Sequence, residues 1–395
     1  MITKKHYSFC AAIVGLANVF ILQSAIAASL TYNPVLDKEV VSEAKEAANI
    51  SGGHIDASIS QYTYQGTRHW IFPSAPDPAG GISVFYEFST GLINNPLIPV
   101  VNSGREDTLV VPPDNPNNSD TGGYKWITNT YQDSTGVLAF VHAEHVLQPP
   151  NGTKGPGNSR IGIAWADGAP TNGSAPVFTY LGHVIKPNTD PYHFNVQGTP
   201  YLIHNDNGTD YFYIYFHDKS SNLNGWGHIA VARAPVAQVM NDAKNGVKTQ
   251  WYKYFQGNWS KPGYGGLSSP VGGIGRIVMH SDAAKSTYNG RYYLAGYYQS
   301  NNWKNGQPGK VIVYESCDAI NWSEVETVGE STDPNRLIQY VSITDNTGTD
   351  NGSFGNKMRI FASIRPLGNK DPATTAEKSR QSIMRYTLTA NNVGC

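Results

Sequence analysis

Between about residues 54 and 390 the chain is almost wholly short strand-forming runs broken by turn residues, and those runs repeat one plan. One unit holds "YKWITNTYQ", "GVLAFVHAEH", "RIGIAWA" and "PVFTYLGHVI". The next holds "QGTPYLIHN", "DYFYIYFHD", "GHIAVARAP" and "QWYKYFQG". A third holds "GRIVMHSD", "RYYLAGYYQ", "KVIVYES" and "WSEVETVG". Each is four runs rich in aromatic and β-branched residues, bounded by Gly, Asn, Asp and Pro. No such unit can bury both faces of its own sheet, so repeated units must stack on one another. Four antiparallel strands per repeat is the rhythm of a β-propeller blade.

Two further units flank these three, one with "HIDASISQYTYQ", "RHWIFP" and "ISVFYEF", the other with "LIQYVSITD", "KMRIFASIR" and "SIMRYTLTA". The expectation is an all-β, five-bladed β-propeller, with a β-sandwich carrying long insertions as the runner-up. The two flanking units show three strands each, so a chain end is expected to complete a blade from elsewhere. Helical spacing occurs in "LDKEVVSEAKEAAN", read as one short N-terminal helix over Asp37 to Asn49. It occurs again in "APVAQVMNDAKNG", where Pro235 suits the first turn and Gly246 the end.

Residues 1–27 read as a leader. Lys4 and Lys5 precede an apolar stretch from Phe9 to Leu22, and Ser24 to Ala27 offers small residues for cleavage. That stretch is shorter than the roughly 20 residues a membrane span needs. The expected organisation is a signal peptide over 1–27, a helical lead-in over 28–53 and the propeller over 54–395, in a secreted protein. Net charge is −1 with 15% charged residues and no basic run, which argues against nucleic acid as a partner. Beyond the leader two cysteines remain, Cys317 and Cys395. In an oxidising compartment they are expected to pair, the alternative being two unrelated thiols.

One run has an unusual end. In "GVLAFVHAEH", read as a strand, Leu138, Phe140, His142 and Glu144 share one face, while Val137, Ala139, Val141, Ala143 and His145 share the other. Both faces are apolar as far as His142. The expectation is an inner blade strand, buried on both sides, whose end delivers His142 and Glu144 to the axial pocket.

The segments "YFYIYFHD", "GHIAVARAP", "WYKYFQGNWSKPGYGGLSSPV" and "VIVYESCDAINWSEV" resemble the five-bladed β-propeller glycoside hydrolases of the family 43 type and their secreted relatives. "HIDASISQY", from His54 to Tyr62, is similar to the opening strand on which those proteins carry an axial aspartate. Asp56 stands in that place, followed by Ala57 where the pattern has proline. The "RDP" and "EC" pair of the fructan-cleaving branch is absent, and "ESCDAINW" is a degraded form of the sialidase Asp-box. The resemblance implies a hydrolase acting on a poly- or oligosaccharide.

Glycoside cleavage generally needs two carboxyl groups across the scissile bond. Glu144 is the first candidate, as general acid, with an ion pair to Arg160 or another arginine as the structural alternative. His142 would orient or protonate it. Asp56 is the candidate base or nucleophile, or else an aspartate holding a turn. Asp190, Asp218 and Asp282 are reserves. Trp226, Trp259 and Trp303 lie in Gly/Asn-rich loops and are the candidate sugar platforms, whereas Trp70, Trp126 and Trp165 lie inside strands and are expected in the core. No HExxH occurs, no PCxxC follows His142-Ala143-Glu144, and no GxSxG is present. No cofactor and no metal site are expected, although turns such as "DNPNNSD" leave room for a structural calcium ion. The alternative function is a carbohydrate-binding or surface-interaction propeller without a working carboxylate pair. A partner-binding scaffold with no deep axial pocket is a third.

Overall fold

A computed structural model describes residues 28–34, 38–42, 57–64, 67–74, 85–89, 109–110, 124–144, 159–167, 177–188, 196–219, 227–275, 278–298, 309–330, 336–345, 352–366 and 382–395. Nearly all of them are strand, arranged in successive antiparallel sheets. The first sheet is Ser60–Tyr64, Thr67–Ser74 and Phe85–Ser89. The second is Tyr124–Asp133, Gly136–Glu144, Arg160–Ala166 and Phe178–Ile185, with Leu109–Val110 parallel on its outer edge. The third runs Tyr201–Asp206, Thr209–Asp218, His228–Pro235, Tyr252–Phe255 and Asn258–Pro262, and Val196–Gln197 lies beside its second strand. The fourth is Val278–Ser286, Tyr292–Tyr298, Lys310–Ser316 and Trp322–Glu330, with Ser353–Phe354 against its first strand. The fifth is Arg336–Asp345, Lys357–Pro366 and Ser382–Ala390.

The last sheet is completed by the N-terminal part of the chain. Leu30–Thr31 and Lys38–Ser42 both pair antiparallel with Ser382–Ala390, joining the two ends of the molecule in one sheet. This meets the expectation that a chain end completes a blade. It also corrects the predicted N-terminal helix over its first part. Lys38–Ser42 is a strand, with Lys38 opposite Tyr386 and Val40 opposite Met384, while residues 43–49 lie outside the described residues. The open edge of Ser382–Ala390 offers a row of unpaired backbone groups, and satisfying them outweighs a weak local helical preference. The second predicted helix is present as Val236–Lys244, begun at Pro235 and closed by Asn245 and Gly246, whose φ is +73°. It buries Val239, Met240 and Ala243 in the core between the second and third sheets.

The first strands of the sheets converge. Asn129 Nδ2 donates to the Thr199 carbonyl (2.9 Å), the Tyr201 hydroxyl to the Thr130 carbonyl (2.7 Å), and the Ile343 amide to Asp282 (2.9 Å). Thr130 donates to the Gln61 carbonyl, and the hydroxyls of Thr128 and Thr199 meet. Residues from all five first strands line one cavity of about 20 Å³, among them Gln61, Asn129, Tyr201, Asp282 and Thr344. That is room for one water or little more, not for a sugar. The arrangement is propeller-like, with four sheets of five or six strands and one of three among the described residues.

Gly136–Glu144 is buried along its length until Glu144, as its two apolar faces require. Leu138 and Phe140 pack with Phe212 and Trp251 of the third sheet, and Val137, Ala139 and Val141 with Tyr62 and Ile71 of the first. One expectation is corrected here: this is the second strand of its sheet, between Tyr124–Asp133 and Arg160–Ala166, and it is Tyr124–Asp133 that stands at the axis. A strand with a sheet neighbour on each side and a sheet against each face reads in sequence just as an axial strand does. Trp70, Trp126 and Trp165 are buried, as expected.

Cys317 and Cys395 form a disulfide (Cα–Cα 5.6 Å) that ties the tail to the turn after Lys310–Ser316. Arg291 reinforces it, donating to the carbonyls of Val393 (2.8 Å) and Gly394 (3.0 Å) while pairing with Glu315 (3.1 Å).

Candidate active site

His142 and Glu144, two residues apart on one strand, project from the same face. His142 Nε2 lies 2.9 Å from Glu144 Oε1. The ring is 1% exposed and the carboxylate 27%, so the pair spans the boundary between core and solvent. A carboxylate only accepts when ionised, which places the shared proton on Nε2 in that state. The other ring nitrogen, Nδ1, is buried without a hydrogen-bond partner among the described residues. Trp126 lies against the imidazole at 6.0 Å between ring centroids. Lys219, just beyond the strand Thr209–Asp218, is within electrostatic reach of Glu144. Burial pushes its ammonium down from the usual lysine range, and the Glu144 charge partly restores it.

A third group arrives from another sheet. The ring of His280 stands edge-on to His142 at 4.6 Å, and one ligand atom from each of His142, Glu144 and His280 falls within 4.8 Å of the others. His280 sits where Val278–Ser286 departs from regular pairing. Val278 faces Tyr297 and Asp282 faces Ala295, four steps along one strand against two along its neighbour. Bulges of this kind re-aim a side chain. A second irregularity lies alongside, where Arg336–Asp345 shifts register between Gln339 and Ser342, and Tyr340 adopts φ +55° with its ring 5.8 Å from His280. A bulky residue in the left-handed region costs about 1–3 kcal/mol and persists only where its surroundings impose it. Tyr124–Asp133 also shifts register, between Ile127 and Asn129. Three axial strands are therefore irregular beside one His/Glu cluster.

The reserve aspartates occupy different surroundings. Asp218 is wholly buried. Its Oδ2 accepts from Ser268 Oγ (2.6 Å) and lies 3.8 Å from Lys253 Nζ. Ser268 in turn accepts from His228 Nε2 (2.9 Å), and Lys253 donates to the carbonyls of Lys186 and Gly266, both at 2.8 Å. Burial pushes Lys253 down to about 8, with Asp218 opposing the shift, and burial also lowers His228. Asp282 is buried and receives the amides of Ala283 (2.8 Å) and Ile343 (2.9 Å), joining two axial strands. Asp282 thus links two sheets, while Asp218 ties strands of the third sheet to the loop that follows it.

Trp259 is half-buried on the outermost hairpin of the third sheet, away from the axis. Its ring packs on Tyr213 (4.8 Å) and Tyr254 (5.2 Å) under the Arg233 guanidinium (4.4 Å), which pairs with Asp206 (2.6 Å). Asp56, Asp190, Trp226 and Trp303 lie outside the described residues, Asp56 directly before Ala57 in the chain. Arg160, the suggested partner of Glu144, donates to the Ser159 carbonyl (2.7 Å). The sequence reading missed His280, Lys219 and Tyr340. For His280 the signal was present in "VMHSD", a histidine at the start of an axial strand.

No protein-family model matches the chain, and no curated protein does. Among solved structures it is similar to an alpha-L-arabinofuranosidase from Lactobacillus brevis (13% identity, 86% of this chain and 92% of that one, TM-score 0.49). An exo-1,5-alpha-L-arabinanase from a bovine ruminal metagenomic library matches at 9% identity, with 85% and 94% coverage and a TM-score of 0.48. Bacillus subtilis levansucrase matches at 11%, with 89% and 86% coverage and a TM-score of 0.47. At this distance the likeness carries no argument about chemistry.

Proposed function

We propose that the protein is a secreted glycoside hydrolase acting on a poly- or oligosaccharide, with Glu144 as one of its two catalytic carboxylates. The observation that carries this reading is the half-exposed Glu144 carboxylate, held by a buried histidine at the open end of a rigid strand. Asp218 and Asp282, by contrast, are buried, the first accepting from Ser268 and the second from the amides of Ala283 and Ile343. The proposal extends the four full sheets to a five-bladed propeller in which the sheet Ser60–Tyr64, Thr67–Ser74 and Phe85–Ser89 is the remaining blade. It places the second carboxylate at Asp56, four residues before the first axial strand Ser60–Tyr64 in the chain. Export follows cleavage of the leader near Ala27.

The role of Glu144 follows from its neighbours. His142 Nε2 lies 2.9 Å from the carboxylate, and the Lys219 cation lies within electrostatic reach of it. Glu144 takes the acid half of the pair and Asp56 the base or nucleophile half. The test is release of reducing sugar from arabinans, xylans, fructans and sialylated glycans by the wild type beside Glu144→Gln. The expected result is activity on one glycan class and a loss of about 100- to 10,000-fold in the variant. Equal activity in both would remove Glu144 from the reaction. No activity in either, with glycan binding retained, would support the carbohydrate-binding alternative.

A further inference from the structure

We infer that His142, Glu144 and His280 form a reversible binding site for a divalent transition-metal ion, zinc by its donor set, and that the bound ion switches the site off. The switching half rests on the hydrolase reading above; the binding half does not. Two imidazoles and a carboxylate form a donor set that suits zinc and disfavours calcium or magnesium, which take oxygen. The three ligand atoms lie within 4.8 Å of one another, and the His142–Glu144 edge is 2.9 Å. Zinc bonds of about 2.0–2.1 Å in a tetrahedron require edges of about 3.4 Å. The His142–Glu144 edge is shorter than that and the whole set falls within 4.8 Å, so side-chain adjustments of about 1 Å or a little more close the set on an ion. Three protein ligands leave the fourth position to water or to a substrate oxygen.

The same surroundings make the site exchangeable. A metal-bound histidine usually donates its other ring N–H to a carbonyl or carboxylate, and losing that contact weakens affinity by about 10- to 100-fold. His142 Nδ1 is buried without such a partner among the described residues. The Lys219 ammonium, within reach of Glu144, opposes a second positive charge. Zinc held on Glu144 occupies the carboxylate oxygen that must carry the catalytic proton, so occupancy and catalysis exclude each other.

The experiment is calorimetric titration of the chelator-treated full chain with zinc chloride, with cobalt(II) absorption as a second readout. Wild type is run beside His280→Asn and Glu144→Gln, each checked for fold by circular dichroism. One equivalent bound by the wild type, about tenfold or more weaker in both variants, is the expected result, with cobalt giving the intense visible bands of a four- or five-coordinate site. No binding, or equal binding in all three folded proteins, overturns the site. If a glycan is hydrolysed, zinc should suppress the reaction, a chelator should restore it, and His280→Asn should be less zinc-sensitive. Binding without suppression would overturn the switch and leave the site standing. If no glycan is hydrolysed, the hydrolase reading fails while the titration still decides the metal site.

Discussion

The clusters around Asp218 and around Glu144 are made of similar material, a carboxylate, a lysine and histidine, at the ends of neighbouring buried strands, but their surroundings differ. Around Asp218 each described polar atom is spoken for. Ser268 and Lys253 face the carboxylate, two backbone carbonyls receive the ammonium, and His228 closes the chain of hydrogen bonds. Around Glu144 the carboxylate is part-exposed and a buried ring nitrogen lacks a partner. A charge buried with its hydrogen bonds made holds a structure together, whereas one at the solvent boundary can exchange partners. Strand-end position, which makes the two look alike in sequence, does not separate them.

The largest effect expected to sharpen that contrast is on activity. Glu144→Gln should abolish glycan cleavage while leaving the melting temperature close to wild type, because the amide keeps the carboxylate's shape at a half-exposed site. Lys253→Met should do the reverse. Removing one partner of a buried pair strands Asp218 uncompensated, at a cost of about 3–5 kcal/mol in chemical denaturation. A Lys253→Met protein as stable as wild type would break the contrast.

Next is the tail. Cys317→Ser opens a loop of sequence separation 78, and should lower stability by about 2–4 kcal/mol under oxidising conditions, with no change in the reduced protein. The smallest effect is with pH. Lys253 titrates near 8 in the folded protein and near 10.5 when unfolded. Between those values the unfolded chain binds the extra proton, so stability should rise as pH increases through 8. Measured from pH 8 to 9.5 against Lys253→Met, the gain should be about 1–2 kcal/mol. A flat difference would mean that Asp218 and the two carbonyls keep the lysine charged against the cost of its burial.

Much of the fold was legible because its signal is local. Four short runs per unit, turn residues between them, and a helix bracketed by Pro235 and Gly246 depend on neighbours in the chain. The strand at Lys38–Ser42 was not legible, since its pairing partner lies more than 300 residues away and its own spacing favours helix. For the site, His142 and Glu144 were readable from the point where an apolar strand turns polar. His280 left only the histidine of "VMHSD" as a signal, and its meeting with that pair was not readable, because a bulge in a different sheet aims it. Trp259 shows the converse error, where a Gly/Asn-rich flank suggested an open loop but the ring is clamped between two tyrosines and an arginine.

By itself the sequence determined an all-β chain of repeated four-strand units, one well-bounded helix, a strand buried on both faces, and cysteines placed to pin the tail. Those follow from periodicity, turn chemistry and burial, which act over a few residues. Tertiary structure alone decided that the N-terminal segment closes the last sheet, that Asp218 and Asp282 are buried with hydrogen-bond partners, and that His280 joins His142 and Glu144. Each of these depends on which strand edges and side chains meet across sheets, and contacts between residues distant in the chain leave no periodic trace in it.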